Sequence, residues 1–573
     1  MKRRLQPGSL PLALVSFFVF AGCTTEHYRK SADKEAYGVI RQKTPLVKNM
    51  DEHFTVEQTN QLSLDGLPGA TRIEEFLGSD GEGERGARVI SLEQALDLAV
   101  RHGRSYQLRK EQLYLQALGL TLDRHRFTPI FSAGAQPGVN VTTQPKVITG
   151  LSTNGPVSYI DPNGRLVEDR QVVAGRPSAS VSWLLRAGGL LTAAFTTDFT
   201  RYLTGDPRTF TSSQLGATLV QPLWRGAGYK VTMENLTQSE RNLLYGLRDF
   251  TQFRKDFSVQ VASAYYGVLQ NRDAVRNSFL NLQNSRKNAE RTRALAREGR
   301  VAQADLGRLE QQELSAESAW ISAVRIYKQA LDNFKIQLGL STDANIVLDD
   351  RDLEQLRIVH PDIAVEDSIK VAIATRLDYQ NAREQFEDAG RKTGVAANAL
   401  RAQVDLVASA GMNSKPGQVT GFPLPEVGRY NWNAGLNLNL PLERKAERNA
   451  YRSSLIALEQ SRRSFELRAD EIKLQVRDGW RALDQAKRNY EISEIGVKIA
   501  ERRVEEQNLL AELGRAKAQD QVDAQNDLVS SKNQRTQALV GHTIARLQFW
   551  NNLGILSIKD NGQWEEMTNA KLE

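Results

Sequence analysis

Ala296-Arg297-Glu298-Gly299-Arg300, with Asp305 following, returns later in the chain as Ala511-Glu512-Leu513-Gly514-Arg515, with Asp520 following. The offset is 215 residues. Each stretch interrupts a long helical pattern at a glycine, the residue that best tolerates the positive φ needed to leave a helix sharply. Each is followed by another helical pattern. Two more anchors recur in the same order. Leu92-Glu93-Gln94-Ala95-Leu96-Asp97-Leu98-Ala99, leading to Tyr106-Gln107, matches Val365-Glu366-Asp367-Ser368-Ile369-Lys370-Val371-Ala372, leading to Tyr379-Gln380, at an offset of 273. Gln221-Pro222-Leu223 matches Leu440-Pro441-Leu442 at 219. Three ordered matches make a duplication. The fall from 273 to 219 gives the first copy about 54 extra residues between its first two anchors.

Each copy reads as helix, β-rich segment, long helix, turn, helix. In the β-rich segments Leu436, Leu438 and Leu440 alternate with Asn437 and Asn439, and Leu215, Ala217 and Leu219 alternate with Gly216 and Thr218. Val404, Leu406 and Ala408 alternate in the same way. A period of two suits a strand between lipid and water, and equally one between a core and water. Val181–Leu185 and Leu190–Phe199, flanking Ala187-Gly188-Gly189, predict an additional hairpin within the extra residues. Aromatics crowd these segments (Phe131, Trp183, Phe195, Tyr430, Trp432), as an interfacial girdle requires.

The helical patterns are long. The stretch 226–298 is matched in length by 92–127 and 302–339 taken together, and 443–513 by 365–399 with 516–552. That equality predicts rods of equal height, each either one long helix or two shorter ones end to end. The helices are wet for their length: between Asn277 and Glu317 the large apolar residues form only a narrow stripe, as in a coiled-coil seam. A solvated stalk and a water-filled tube of helices both fit.

Composition removes other classes. The 573 residues carry 75 Lys+Arg against 68 Asp+Glu, a surplus too diluted for a nucleic-acid binder. Mean hydropathy of −0.45 excludes a bundle of membrane-spanning helices. One cysteine excludes a disulfide framework and a cysteine zinc site. The six histidines (27, 53, 102, 125, 360, 542) include no pair at ligand spacing. No nucleophile–base constellation emerges, so an enzyme is not expected. Gly81-Glu82-Gly83-Glu84-Arg85-Gly86 matches a dinucleotide fingerprint in letters alone; no strand precedes it and its acids would repel a pyrophosphate.

At the N-terminus, Lys2, Arg3 and Arg4 precede an apolar run from Leu10 to Phe20 that ends at Ala21-Gly22-Cys23. Eleven apolar residues suit a signal peptide and are too few to span a bilayer. Small residues before a cysteine resemble a bacterial lipobox, which makes Cys23 the expected site of covalent lipid. The chain is then divided into a signal peptide (1–22), a lipidated extension (23–90, drawn as an extended strap), repeat 1 (91–340), a linker (341–362), repeat 2 (363–556) and a tail (557–573).

The duplicated unit, the strand-end prolines and the two turns resemble the TolC family of outer-membrane efflux proteins, over about residues 91–556, with the lipobox fitting its lipoprotein branch. The resemblance implies a mainly α fold with a β-barrel part: a homotrimer whose strands close a transmembrane β-barrel and whose long coiled-coil-like helices form a periplasmic α-barrel. It implies an exit duct of an efflux or type I secretion system in the outer membrane, working with a periplasmic adaptor protein and an inner-membrane RND or ABC transporter. No cofactor, metal or nucleic acid is implied beyond the lipid on Cys23. The family carries an Asp-x-x-Asp pair at its periplasmic aperture, which falls here on Asp520 and Asp523; Asp305 is the first-copy equivalent, with Arg308 where a second carboxylate would stand. The turns Gly299-Arg300 and Gly514-Arg515 fall where the family docks its adaptor. Ala511 and Ala516 stand where the family's closed-state lock has Tyr and Arg. The barrel has 12 strands if the extra hairpin lies outside it, and more if it joins. A lipid-anchored coiled-coil spacer or adhesin without a pore is the alternative.

Overall fold

Ser91 opens the first repeat with a reciprocal cap: its hydroxyl accepts from the Gln94 N–H while the Gln94 side chain accepts from the Ser91 N–H. Two donors that a helix start would orphan are thereby satisfied. The computed structural model of the chain describes residues 24–57, 64–71, 74–135, 138–152, 155–173, 178–203, 209–361, 363–415, 423–513 and 515–565. The expected signal peptide, Cys23 and Gly514 lie outside the described residues.

In chain order the main elements are α1 (Thr25–Lys43), β1 (Arg88–Ile90), α2 (Leu92–His102), α3 (Arg104–His125), β2 (Ile130–Gly134), β3 (Gly138–Pro145), β4 (Val147–Ser152), β5 (Gly155–Ile160), β6 (Leu166–Val173), β7 (Ser178–Leu184), β8 (Leu190–Tyr202), β9 (Thr209–Pro222), α4 (Glu234–Arg297), α5 (Gln303–Leu338), β10 (Ile346–Leu348), α6 (Val365–Thr375), α7 (Leu377–Ala399), β11 (Gln403–Asn413), β12 (Tyr430–Asn439), α8 (Lys445–Glu512) and α9 (Ala518–Asn552). The duplication is visible in them. α2 and α6 start 273 residues apart, α5 and α9 start 215 apart, and the long helices α4 and α8 have 64 and 68 residues.

One expectation is corrected in both copies. The patterns over 92–127 and 365–399 predict continuous helices, but each is broken, at Gly103 and at Arg376. Both residues have extended ψ (120° and 126°), and both still donate their N–H four residues back, to Ala99 and Ala372. The breaks sit at equivalent positions of the two copies, 273 residues apart. Apolar spacing continues across it, which is why periodicity alone does not show it. Gly339 ends α5 with φ +81°, and a Cβ there would lie 2.1 Å from the His102 carbonyl oxygen, so only glycine allows that close approach.

The chain divides into two units. The first comprises 1–117, 243–384 and 463–573. Its core joins Val259 and Ala262 of α4, Ile369 and Ala372 of α6, Ile472, Val476 and Leu483 of α8, and Leu547, Phe549 and Trp550 of α9. The N-terminal extension belongs to this unit and is not the extended strap drawn from its sequence. α1 buries Ala36, Val39 and Ile40, and Tyr114 donates to Asp33 at 2.5 Å. Trp320 donates to the Phe76 carbonyl, and β1 pairs in parallel with the buried β10. Glu84, a letter of the apparent nucleotide fingerprint, instead accepts from buried Arg272 (3.1 Å) and from Tyr327 (2.8 Å). It serves as an internal counter-ion.

The second unit comprises 118–242 and 385–462 and holds the large sheet. Its helical segments are tied by Arg124–Glu240 (2.7 Å), Arg241–Asp388 (2.7 Å) and Arg391–Glu234 (2.6 Å). Strands run antiparallel in the order β12-β11-β9-β8, and β8 pairs along its length with β7 and then β6. β7 pairs β2, β6 pairs β3, and β5 pairs β4. β2–β4 and β5–β7 are thus the two arms of one long hairpin, and the sheet is six strands wide.

Candidate pore wall and entrance

Antiparallel partners directly opposite each other share a sheet face, so the registers sort β2, β7, β8, β9, β11 and β12 of the second unit. On one face lie Phe131 and Ala133 of β2, Ala179, Val181 and Trp183 of β7, and Leu191, Ala193 and Phe195 of β8. They continue into Leu215, Ala217 and Leu219 of β9, Met412, Ala410, Ala408 and Leu406 of β11, and Tyr430, Trp432, Ala434, Leu436 and Leu438 of β12. The opposite face carries Ser180 and Ser182, Thr192 and Thr196, Gln214 and Thr218, Ser409 and Asp405, and Asn431, Asn433, Asn437 and Asn439. One face is apolar with aromatics; the other carries mainly hydroxyls and amides, with Ile130, Leu184, Leu190, Val220 and Val407 grouped at the end next to the helices. A soluble sandwich would cover its apolar face with a second layer; here Trp432 (72%), Leu436 (68%) and Phe131 (80%) are exposed.

The predicted extra hairpin is present and joins this sheet. Its turn at 185–189 closes with Leu185 N–H donating to the Gly189 carbonyl at 2.7 Å, and Gly188 takes φ +98°. The sequence reading missed the outer part of the long hairpin, 138–152 and 155–173. Val139 and Val141 alternate there, but interspersed charges (Lys146, Asp161, Arg165, Glu168, Asp169, Arg170) hide the period.

At the two turns of the first unit the structure places the other candidates. Gly299 has φ +75°, and Arg300 N–H reaches back to the Leu295 carbonyl at 3.0 Å, the double-bonded end that a left-handed residue permits. Arg300 is exposed beside Glu298 (3.6 Å). In the second copy Arg515 N–H reaches the Leu510 carbonyl at 2.8 Å, the same geometry. Asp305 and Asp520 occupy the third position of α5 and α9, where a carboxylate also complements the helix dipole. Asp523 accepts from Gln519 at 3.0 Å, and Gln519 accepts from Arg308 at 3.4 Å, so Arg308 of the first copy reaches toward the second copy's acidic pair. Ala518, Leu309 and Ala289 pack together with Val522, which leaves Asp520 and Asp523 on the opposite side of α9, both half-exposed.

Two further features of the first unit carry ionisable groups. Asp51, His53 and Asp560 approach closely enough to share a metal ion, but Arg254 stands 3.6 Å from Asp560 and supplies the cation there. His542 of α9 is fully buried, and neither ring nitrogen has a hydrogen-bond partner. Burial, with Arg546, His360 and Lys487 adding like charge, pushes it down to about 4. A cation would be rejected at this place.

No family model and no curated protein matches the sequence. Solved structures do match. A membrane protein from Pseudomonas aeruginosa is 15% identical with a TM-score of 0.58, over 81% of this chain and 90% of that one. The CmeC outer membrane channel of Campylobacter jejuni is 12% identical with a TM-score of 0.58, over 84% and 88%. The open state of the MtrE outer membrane channel of Neisseria gonorrhoeae is 13% identical with a TM-score of 0.55, over 88% and 98%. The chain has the fold of these channels, as the resemblance read from its sequence implied.

Proposed function

We propose that three copies of this chain close into an outer-membrane channel, a passive exit duct of a tripartite efflux or type I secretion system. The observation that carries the reading is the six-strand sheet with one apolar and one mainly polar face and with both edges, β2–β3 and β12, lacking a partner strand among the described residues. An unpaired backbone group in hydrocarbon costs several kcal/mol, so such a sheet crosses a membrane only when closed. Three copies would give eighteen strands, apolar outside and hydroxyl- and amide-lined within. The helices support the same assembly. Leu108 and Leu115 on α3, and Leu467 and Leu474 on α8, recur at seven-residue spacing and are exposed in one chain, as seams awaiting neighbouring copies would be.

The finer parts follow from this reading. Lipid on Cys23 would add a second anchor to the barrel. The turns at Gly299-Arg300 and Gly514-Arg515 would meet a periplasmic adaptor, itself coupled to an inner-membrane RND or ABC transporter. Asp520 and Asp523 would line the aperture in two stacked rings. No chemistry is performed; the wall sorts cargo by size and charge. A spacer or adhesin without a pore has no use for a two-faced six-strand sheet. Purified protein added to a planar bilayer should give discrete conductance steps. Stable membrane association without any conductance would sink the duct and favour the spacer.

A further inference from the structure

The long hairpin outruns the sheet that holds it. β8 pairs with 178–184 and 171–173, its final register pair being Tyr202 with Gln171. Gln171 is opposite Asn140, so residues 141–152 and 155–170 continue as a two-stranded ribbon that pairs with no other strand among the described residues. Twelve residues of one arm extend it by roughly 40 Å at about 3.3 Å per residue. It leaves at the end where β8 turns into β9 and β11 into β12, opposite to the end that leads into the helices. On the reading above, that end is outside the cell.

A lone two-stranded ribbon is marginal in water, and this one is also apolar on both faces. Val147 and Ile160 are register partners and are 59% and 63% exposed. On the other face Ile148 opposes Tyr159, whose ring lies over Gly150, with Val157 beside it. The ribbon is nonetheless built deliberately. Opposite Lys146, residues 161–165 loop out: Lys146 donates to Arg165 O (2.8 Å) and Asp161 donates to Lys146 O (2.7 Å), while the Asp161 carboxylate, itself buried, accepts from the Asn163 N–H. Pairing resumes in register on either side.

We infer that this ribbon docks through the apolar faces of 147–150 and 157–160 on the same ribbon of neighbouring copies of this chain, joining the subunits outside the membrane. This rests on the trimeric barrel proposed above. Three observations select that occupant. The ribbon continues the very edge, β2–β3, by which one copy must meet the next. Its charges balance, with Lys146, Arg165 and Arg170 against Asp161, Glu168 and Asp169, so it offers no excess cation to an anionic lipid surface. Pro145 and Pro156 each remove a backbone donor from the ladder, which discourages lateral strand addition and leaves the faces as the sticky surface.

The test uses the full chain in intact cells. Tyr159→Cys and, separately, Val157→Cys are exposed to a mild oxidant, with Asn163→Cys on the looped-out turn as comparison. Docking predicts disulfide-linked pairs of this chain for the first two and their loss for the third. A trimer that forms no such pairs, forms them equally at Asn163, or instead cross-links to a different protein overturns the proposal while leaving the barrel standing. Joining Lys146 to Asp161 through Asn-Gly in place of 147–160 should lower the temperature at which the trimer dissociates in detergent, and an unchanged temperature counts against the docking. A parent chain that is itself monomeric removes both the barrel and the docking.

Discussion

At the scale of single residues, Asp520 and Asp523 carry the sharpest functional claim. Their spacing was legible in sequence because Gly514, Asp520 and Asp523 fit the Asp-x-x-Asp pattern that the family resemblance implies; the first copy, with Arg308 in the second place, does not supply it. The contact from Arg308 through Gln519 was not legible, because it joins residues 211 apart. Six carboxylates at one constriction would repel one another unless cations gathered there. Replacing both with Asn keeps the shape and removes the charge. Cation selectivity in a planar bilayer should fall and block by multivalent cations should weaken; parent-like selectivity would reduce the pair to a solvated helix face. His542 makes an independent prediction. Its folded value lies near 4 against about 6.5 when unfolded, so the unfolded chain binds the extra proton. Its stabilising neutral state is fully present above pH 6.5 and is lost as pH falls toward 4, on the order of 3 kcal/mol in all. His542→Leu should flatten the melting-temperature profile over that window, and an unaltered slope would place the acid sensitivity elsewhere.

Among the elements, the strands with clean alternation were readable: Leu215, Ala217, Leu219 and Leu436, Leu438 lie on one face as their period requires. Elements whose pattern is mixed were not. α1 hides a three-residue buried stripe among charges, the ribbon carries apolar residues on both faces, and the breaks at Gly103 and Arg376 interrupt helices without interrupting their periodicity. Neighbouring residues of β9 test the face assignment directly. Ala217 is on the apolar face and Thr218 on the polar one, both near the strand's middle. Ala217→Arg should destabilise the membrane-inserted protein by about 2–4 kcal/mol, the cost of a cation at the lipid midplane. Thr218→Arg, facing water, should cost far less. Equal penalties, read from urea unfolding in lipid vesicles, would mean the sheet does not separate lipid from water.

For the whole molecule, the duplication told more than any motif. Offsets of 273 and 215 reappear as the starting points of paired helices, and the drop to 219 located an insertion that proves to widen the sheet rather than decorate it. What the sequence withheld was the destination of the described residues between 24 and 90, because much of what ties them down is single long-range bonds, such as Glu84 with Arg272 and Asp33 with Tyr114, which leave no periodic trace. Closure follows from the same physics that sorts the faces. Among the described residues one chain leaves two sheet edges without a partner strand and exposes apolar seams, and the trimer proposed above would cover both. The most direct measurement is the native mass of the detergent-solubilised protein, taken with its β-structure intact. The account predicts a single trimeric species, and a monodisperse monomer that keeps its β-structure would contradict it.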